Sequence, residues 1–121
     1  MTFLTPIPIF RIFSLEKAKE FYLDFLGFQI DWEHTFEENF PVYMQVSRGG
    51  VKLHLSEHVG DATPGSTAFV EMTGLDEYHQ ELTVKQYKYL RPGIVEQDWG
   101  MREMTVIDPF GNRLRFAERT R

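Results

Sequence analysis

Met44-Gln-Val-Ser-Arg-Gly-Gly-Val-Lys-Leu-His-Leu55 alternates apolar and polar residues on both sides of a Gly-Gly pair. Successive strand side chains point to opposite faces, and glycine reaches the positive φ values that tight hairpins need, so the stretch reads as two half-buried strands joined by a turn. Met104-Thr-Val-Ile-Asp-Pro-Phe-Gly-Asn-Arg-Leu-Arg-Phe116 repeats the pattern sixty positions later with one extra residue in its turn. Sixty positions is half of this 121-residue chain. Working outward at the same offset, residues 6–13 (PIPIFRIF) match residues 67–73, both rich in strand-forming side chains. Leu15, Ala18, Tyr22 and Phe25 follow helical spacing, as do Leu75, Tyr78 and Leu82. Agreement over strand, helix and hairpin makes the chain an internal duplication of a β-α-β-β-β unit.

Several boundaries follow from local chemistry. Pro6 and Pro8 cannot donate to a ladder, so the first half of the first strand is an edge or an exchanged segment. Ser14 reads as the cap of a helix that Gly27 ends. Residues 28–34 form a second strand, 35–41 a loop carrying Phe36 and Phe40, and 57–66 a loop containing Pro64. The second helix ends near Gln86, and Ile94-Val95 is a short strand before the connection that carries Trp99. The fold class expected is α+β: paired βαβββ modules, about 1–60 and 61–121, in a single domain with a concave mixed sheet and helices on its outer face.

Period-two alternation sends Leu53, Leu55, Leu114 and Phe116 toward the helices. Lys52, His54, Ser56, Arg113 and Arg115 face the other way, joined by Thr67, Phe69, Glu71, Glu103 and Thr105. That second face is the expected ligand groove. Eleven Phe, five Tyr and two Trp in so short a chain supply stacking surfaces for a planar ligand as well as core. Trp99, among Gln97, Asp98 and Gly100, reads as a loop tryptophan.

Composition narrows the function. With 42% hydrophobic and 26% charged residues the chain is an ordinary globular protein. It has no cysteine, which excludes a disulfide framework, a zinc ribbon and a thiol nucleophile. A net charge of −5 argues against nucleic acid as a partner and suits a cationic ligand. No apolar run approaches the roughly 18 residues of a membrane span, and the N-terminal residues lack a secretory pattern, so a cytoplasmic location is expected. His54, Glu57 and His58 read as a solvated strand end, and His34 and His79 as surface histidines.

The order of elements, with Phe21-Tyr22…Leu26-Gly27-Phe28 early and Asp108-Pro-Phe-Gly-Asn112 late, resembles the vicinal oxygen chelate superfamily, which includes glyoxalase I, extradiol dioxygenases and bleomycin resistance proteins. The proline-interrupted first strand, Leu55-Ser56 before a loop with Pro64, Gly74-Leu75-Asp76-Glu77, and Trp99-Gly100-Met101-Arg102-Glu103 are most similar to the bleomycin resistance proteins. The resemblance implies a homodimer that exchanges N-terminal strands around two drug-binding grooves. It implies that Trp99, Phe69 and Phe36 or Phe40 line them, with Ser56 and Pro64 at the edge. Glu71 and Glu103 would meet the cationic groups of the drug. This chain departs from the pattern in carrying Phe69 where those relatives have tryptophan.

The superfamily's metal enzymes hold a divalent ion with His, Glu or Gln, and the resemblance puts those positions near Ile7, His54, Thr67 and Arg115. Isoleucine cannot ligate, arginine repels cations and threonine is a poor ligand, so no metal and no cofactor is expected. The leading expectation is a metal-independent small-molecule binding protein, of the kind that sequesters a bleomycin-type antibiotic. The alternatives are a metal-dependent glyoxalase- or dioxygenase-like enzyme and a binder of an unrelated metabolite.

Overall fold

A computed structural model describes residues 1–35 and 37–120 as two compact units, Met1–Pro64 and Gly65–Arg121. The first contains β1 (Ile9–Arg11), α1 (Leu15–Lys19), β2 (Gln29–His34), β3 (Tyr43–Arg48) and β4 (Val51–Ser56). Its sheet runs β1-β4-β3-β2, with β1 parallel to β4 and the other neighbours antiparallel. The second contains β5 (Thr67–Glu71), α2 (Leu75–Val84), β6 (Ile94–Glu96), β7 (Met101–Ile107) and β8 (Arg113–Arg119). Its order, β5-β8-β7-β6 with β5 parallel to β8, repeats the first. Ile9 sits opposite His54 and Phe69 opposite Arg115, so the duplication read from sequence extends to the strand register.

The prolines shorten β1 to three residues. Pro8 still contributes its carbonyl, which accepts from His54 N at 2.9 Å, and Ile12 N donates to Ser56 O at 2.9 Å. Ser14 caps α1, its hydroxyl accepting from Lys17 N at 3.2 Å. The helix then departs from the uninterrupted α-helix expected. Residues Glu20–Phe25 form a π-helical turn, in which Leu26 N donates five residues back to Phe21 O at 2.9 Å. The wider turn keeps Phe21, Tyr22, Phe25 and Leu26 all buried beside Ala18, and Gly27, at φ 78°, ends it. Met44, Val46, Leu53 and Leu55 supply the sheet side of this core.

In the second unit Leu75, Tyr78 and Leu82 of α2 are buried, as are Met104, Val106, Leu114 and Phe116. No side chain at the Gly74 cap position bonds the first turn. Glu118, on the helix-facing side of β8, does so instead, its carboxylate accepting from Gly74 N at 2.8 Å and Leu75 N at 3.3 Å. These are donors that a helix start leaves without partners, and an anion there also opposes the helix dipole. The helix stops at Val84, two residues before the expected end, and Gln86 turns the chain at φ 53°. His79, expected at the surface, is half-buried and donates to Pro92 O at 3.0 Å, tying α2 to the segment before β6.

The Asp108–Asn112 turn is an internally bonded knot. Asp108 Oδ1 accepts from Phe110 N and Asn112 N, and Oδ2 accepts from Asn112 Nδ2. Asn112 Oδ1 accepts from Ser66 N at 3.2 Å, fixing the start of β5. Among the described residues no helix is long and apolar enough to cross a membrane.

Candidate functional site

The polar face of the first unit is organised by a bulge. Ile30 pairs with Val46 and Trp32 with Gln45, and the register shifts between them. The extra residue, Asp31, therefore turns to the same face as Trp32. On β3 the alternation brings Tyr43, Gln45 and Ser47 to that face, and on β4 it brings His54.

These side chains form one chain of hydrogen bonds. Asp31 Oδ2 accepts from Gln45 Nε2 at 2.9 Å, and Oδ1 from Ser47 Oγ at 3.0 Å. Gln45 Oε1 lies 3.0 Å from His54 Nε2, and His54 Nδ1 lies 2.7 Å from the Tyr43 hydroxyl. Bonds from Gln45 and Ser47 hold the Asp31 carboxyl below its usual range. Burial pushes His54 down, so its neutral form is favoured. Burial, and then the charge of Asp61, push the Tyr43 phenol up.

The aromatic rings complete the wall. Trp32 lies nearly parallel to Tyr43, at 6.0 Å between centroids and 11° between planes, and meets His54 edge-on at 5.3 Å. Next to them is an open depression of about 670 Å³ lined by Trp32, Glu33, His34, Tyr43, His58 and Asp61. Ser56, bonded to two of these lining residues, is fully buried; its hydroxyl donates to Asp61 Oδ2 at 2.6 Å and accepts from His58 N at 3.0 Å. It therefore holds the loop that carries Asp61. Sequence alternation had placed Ser56 on the open polar face; at the strand end these loop bonds bury it instead.

The polar face of the second unit is a stacked cation. The Arg115 guanidinium lies 5.2 Å from the centre of the Phe69 ring and bonds Glu103 Oε1 through Nε at 2.8 Å and Nη2 at 2.7 Å. Glu103 is only 3% exposed, and its Oε2 is buried without a hydrogen-bond partner. Glu71 is exposed and pairs with Arg119 at 3.3 Å. Both carboxylates assigned to a ligand's cations thus already face an arginine.

Trp99 is 61% exposed, in the turn between β6 and β7. Phe40 is 49% exposed, and its N–H donates to Glu37 O. Pro64 is exposed, and Phe36 lies outside the described residues. Of the residues singled out in sequence, His54 alone belongs to the aromatic wall of the first unit. Trp32, Tyr43, Gln45 and Asp31 were missed. Extending the alternation from β4 to residues 42–46 places Tyr43 and Gln45 beside His54; the bulge that brings Asp31 and Trp32 leaves no mark in the sequence.

The positions that correspond to the superfamily's metal ligands do not fit a divalent ion. Both ring nitrogens of His54 are engaged, and Arg115 is a cation tied to Glu103. Ile7 and Thr67 supply neither imidazole nor carboxylate. Among the described residues no three His, Asp or Glu side chains are grouped to hold a metal.

The family described as glyoxalase superfamily protein matches residues 1–121. The chain belongs to the glyoxalase superfamily. One similar solved structure is a bleomycin-binding protein complexed with bleomycin, at 20% identity and TM-score 0.70, over 96% of this chain and 98% of that one. Another is a bleomycin resistance determinant encoded on the transposon Tn5, at 18% identity and TM-score 0.74, over 97% and 98%. A third is TnmS3, an antibiotic binding protein from Streptomyces sp. CB03234, at 19% identity and TM-score 0.67, over 98% and 99%. These likenesses establish the glyoxalase/bleomycin resistance fold for this chain. No curated protein matches it in sequence.

Proposed function

We propose that this protein is a metal-independent binding protein for a small planar cationic compound, and that it protects by sequestering a bleomycin-type antibiotic. The observation that carries the reading is the parallel pair Trp32–Tyr43 beside the carboxylate of Asp61, on an open depression. Aromatic faces take up planar ligands, each stack being worth about 0.5–1.5 kcal/mol beyond burial, and they attract cations. Within the first unit exposed Phe40 offers further stacking surface, and within the second exposed Phe69 and Trp99 do the same. Structural neighbours described as bleomycin-binding and antibiotic-binding support the ligand class. The unsuited donor set favours binding over the metal-dependent glyoxalase or dioxygenase chemistry of other superfamily members.

The working form in this reading is a cytoplasmic homodimer. Phe3 and Leu4 are 89% and 85% exposed, ahead of the prolines and the edge strand β1. An apolar arm of this kind suits docking on, or exchange with, a second copy. The test is a thermal-shift screen with bleomycin-type glycopeptides, other cationic aromatic antibiotics and divalent metals. A ligand that binds only the folded state raises the melting temperature. The reading expects a rise with a cationic aromatic and none with metals; stabilisation by a divalent metal alone would replace it with the enzyme reading.

A further inference from the structure

We propose that Tyr43 sets the specificity of the Trp32 depression by presenting only a hydrogen-bond acceptor, so that the site selects ligands bearing an N–H donor. The inference rests on the small-molecule reading above and names which compounds that site admits.

The polarity of the relay is fixed from its exposed end. Asp31, held ionised, can only accept, so Gln45 must turn its NH₂ group toward it. Gln45 then shows its carbonyl oxygen to His54 Nε2, which must carry the proton. A neutral imidazole has one proton, so Nδ1 carries the lone pair and accepts from the Tyr43 hydroxyl. The phenol proton is thereby committed inward, and the phenolic oxygen has lone pairs left for a ligand. The neighbouring groups agree. Asp61 takes the Ser56 proton on one oxygen and keeps the other as an acceptor, and Glu33 is a carboxylate paired with Lys19 at 2.6 Å. An ammonium or amide N–H stacked against Trp32 meets acceptors at Tyr43, Asp61 and Glu33; a carboxylate or an ether meets lone pairs at those three positions.

Three probes with one ring system separate donor from charge: naphthylmethylammonium, its N-trimethyl quaternary analogue and naphthylacetate. Each is titrated at one fixed pH, following the Trp32 indole N–H by NMR. The ammonium should bind about tenfold more tightly than the quaternary analogue, the magnitude of one charge-assisted hydrogen bond, and naphthylacetate more weakly than both. In Tyr43→Phe the advantage of the ammonium over the quaternary probe should narrow several-fold, leaving only what Asp61 and Glu33 contribute. Independently, ¹⁵N NMR of the unliganded protein should find His54 protonated at Nε2. Equal binding of ammonium and quaternary probes in the parent, tighter binding of the carboxylate, or a His54 proton on Nδ1 overturns the inference and leaves small-molecule binding standing. Failure of all three probes to move Trp32, with the expected tautomer in place, overturns the reading of the depression as a ligand site.

Discussion

The Tyr43 hydroxyl and His54 Nδ1 lie 2.7 Å apart on adjacent strands, offset diagonally because His54 pairs with Gln45 and Tyr43 with Ser56. Each is half-buried, and the bond between them joins the ligand-facing phenol to a relay anchored at Asp31.

That relationship has a pH signature. Burial depresses the His54 pKa in the folded protein below the ordinary 6.5, so the unfolded chain takes up its proton first. Stability is complete above about 6.5 and is lost as pH falls through the folded value. His54→Gln removes this titration. The unfolding free energy of the parent relative to His54→Gln should therefore decline on acidification below pH 6.5. Urea unfolding of both proteins across that range checks it, and a constant difference would contradict it.

Trp99 should matter little to folding. Its 61% exposure predicts that Trp99→Ala changes stability by no more than about 0.5 kcal/mol, against about 3–5 kcal/mol for a core tryptophan. If it also belongs to the ligand wall, the same variant should bind a bleomycin-type drug more weakly by about 1 kcal/mol or more. Urea unfolding and drug titration of the variant beside the parent give both numbers.

Glu118 should prove to be the N-terminal cap of α2. Glu118→Ala should cost about 1 kcal/mol, the usual worth of a cap, and Glu118→Gln less, because an acceptor remains. Hydrogen exchange should show the loss of protection concentrated at Gly74 N and Leu75 N, the two amides that Glu118 bonds.

Asn112→Ala should be more costly. The side chain is 1% exposed, donates to Asp108 and accepts from Ser66 N. Its removal leaves buried groups without partners, at about 1–3 kcal/mol. Chemical denaturation should register the loss, and a change within about 0.5 kcal/mol would mean the knot at Asp108–Asn112 is not needed.

The fold was legible because it is written twice. Strand alternation around Gly49-Gly50 and around Phe110-Gly111 fixes both hairpins, and the offset between them carries the remaining elements with it. Local chemistry gave the Ser14 cap and the Gly27 stop, which depend on neighbours a few residues away. What escaped depends on distant partners. The cap of α2 comes from Glu118 on β8, and the burial of Ser56 follows from its bond to Asp61. The site was less legible than the fold for the same reason. His54 was visible from strand period, but its significance comes from Trp32 and Asp31, delivered by a bulge on β2. Glu103 faces as alternation predicts, yet its charge is spent on Arg115, a pairing between two strands that no local pattern announces.

Metal-independent binding is tested most directly by calorimetric titration of EDTA-treated protein with metal-free bleomycin. The account predicts saturable binding of one drug per chain, unchanged by the chelator and weakened in Trp32→Ala. Absence of binding by the chelated protein, with binding or turnover restored by a divalent metal, would contradict it.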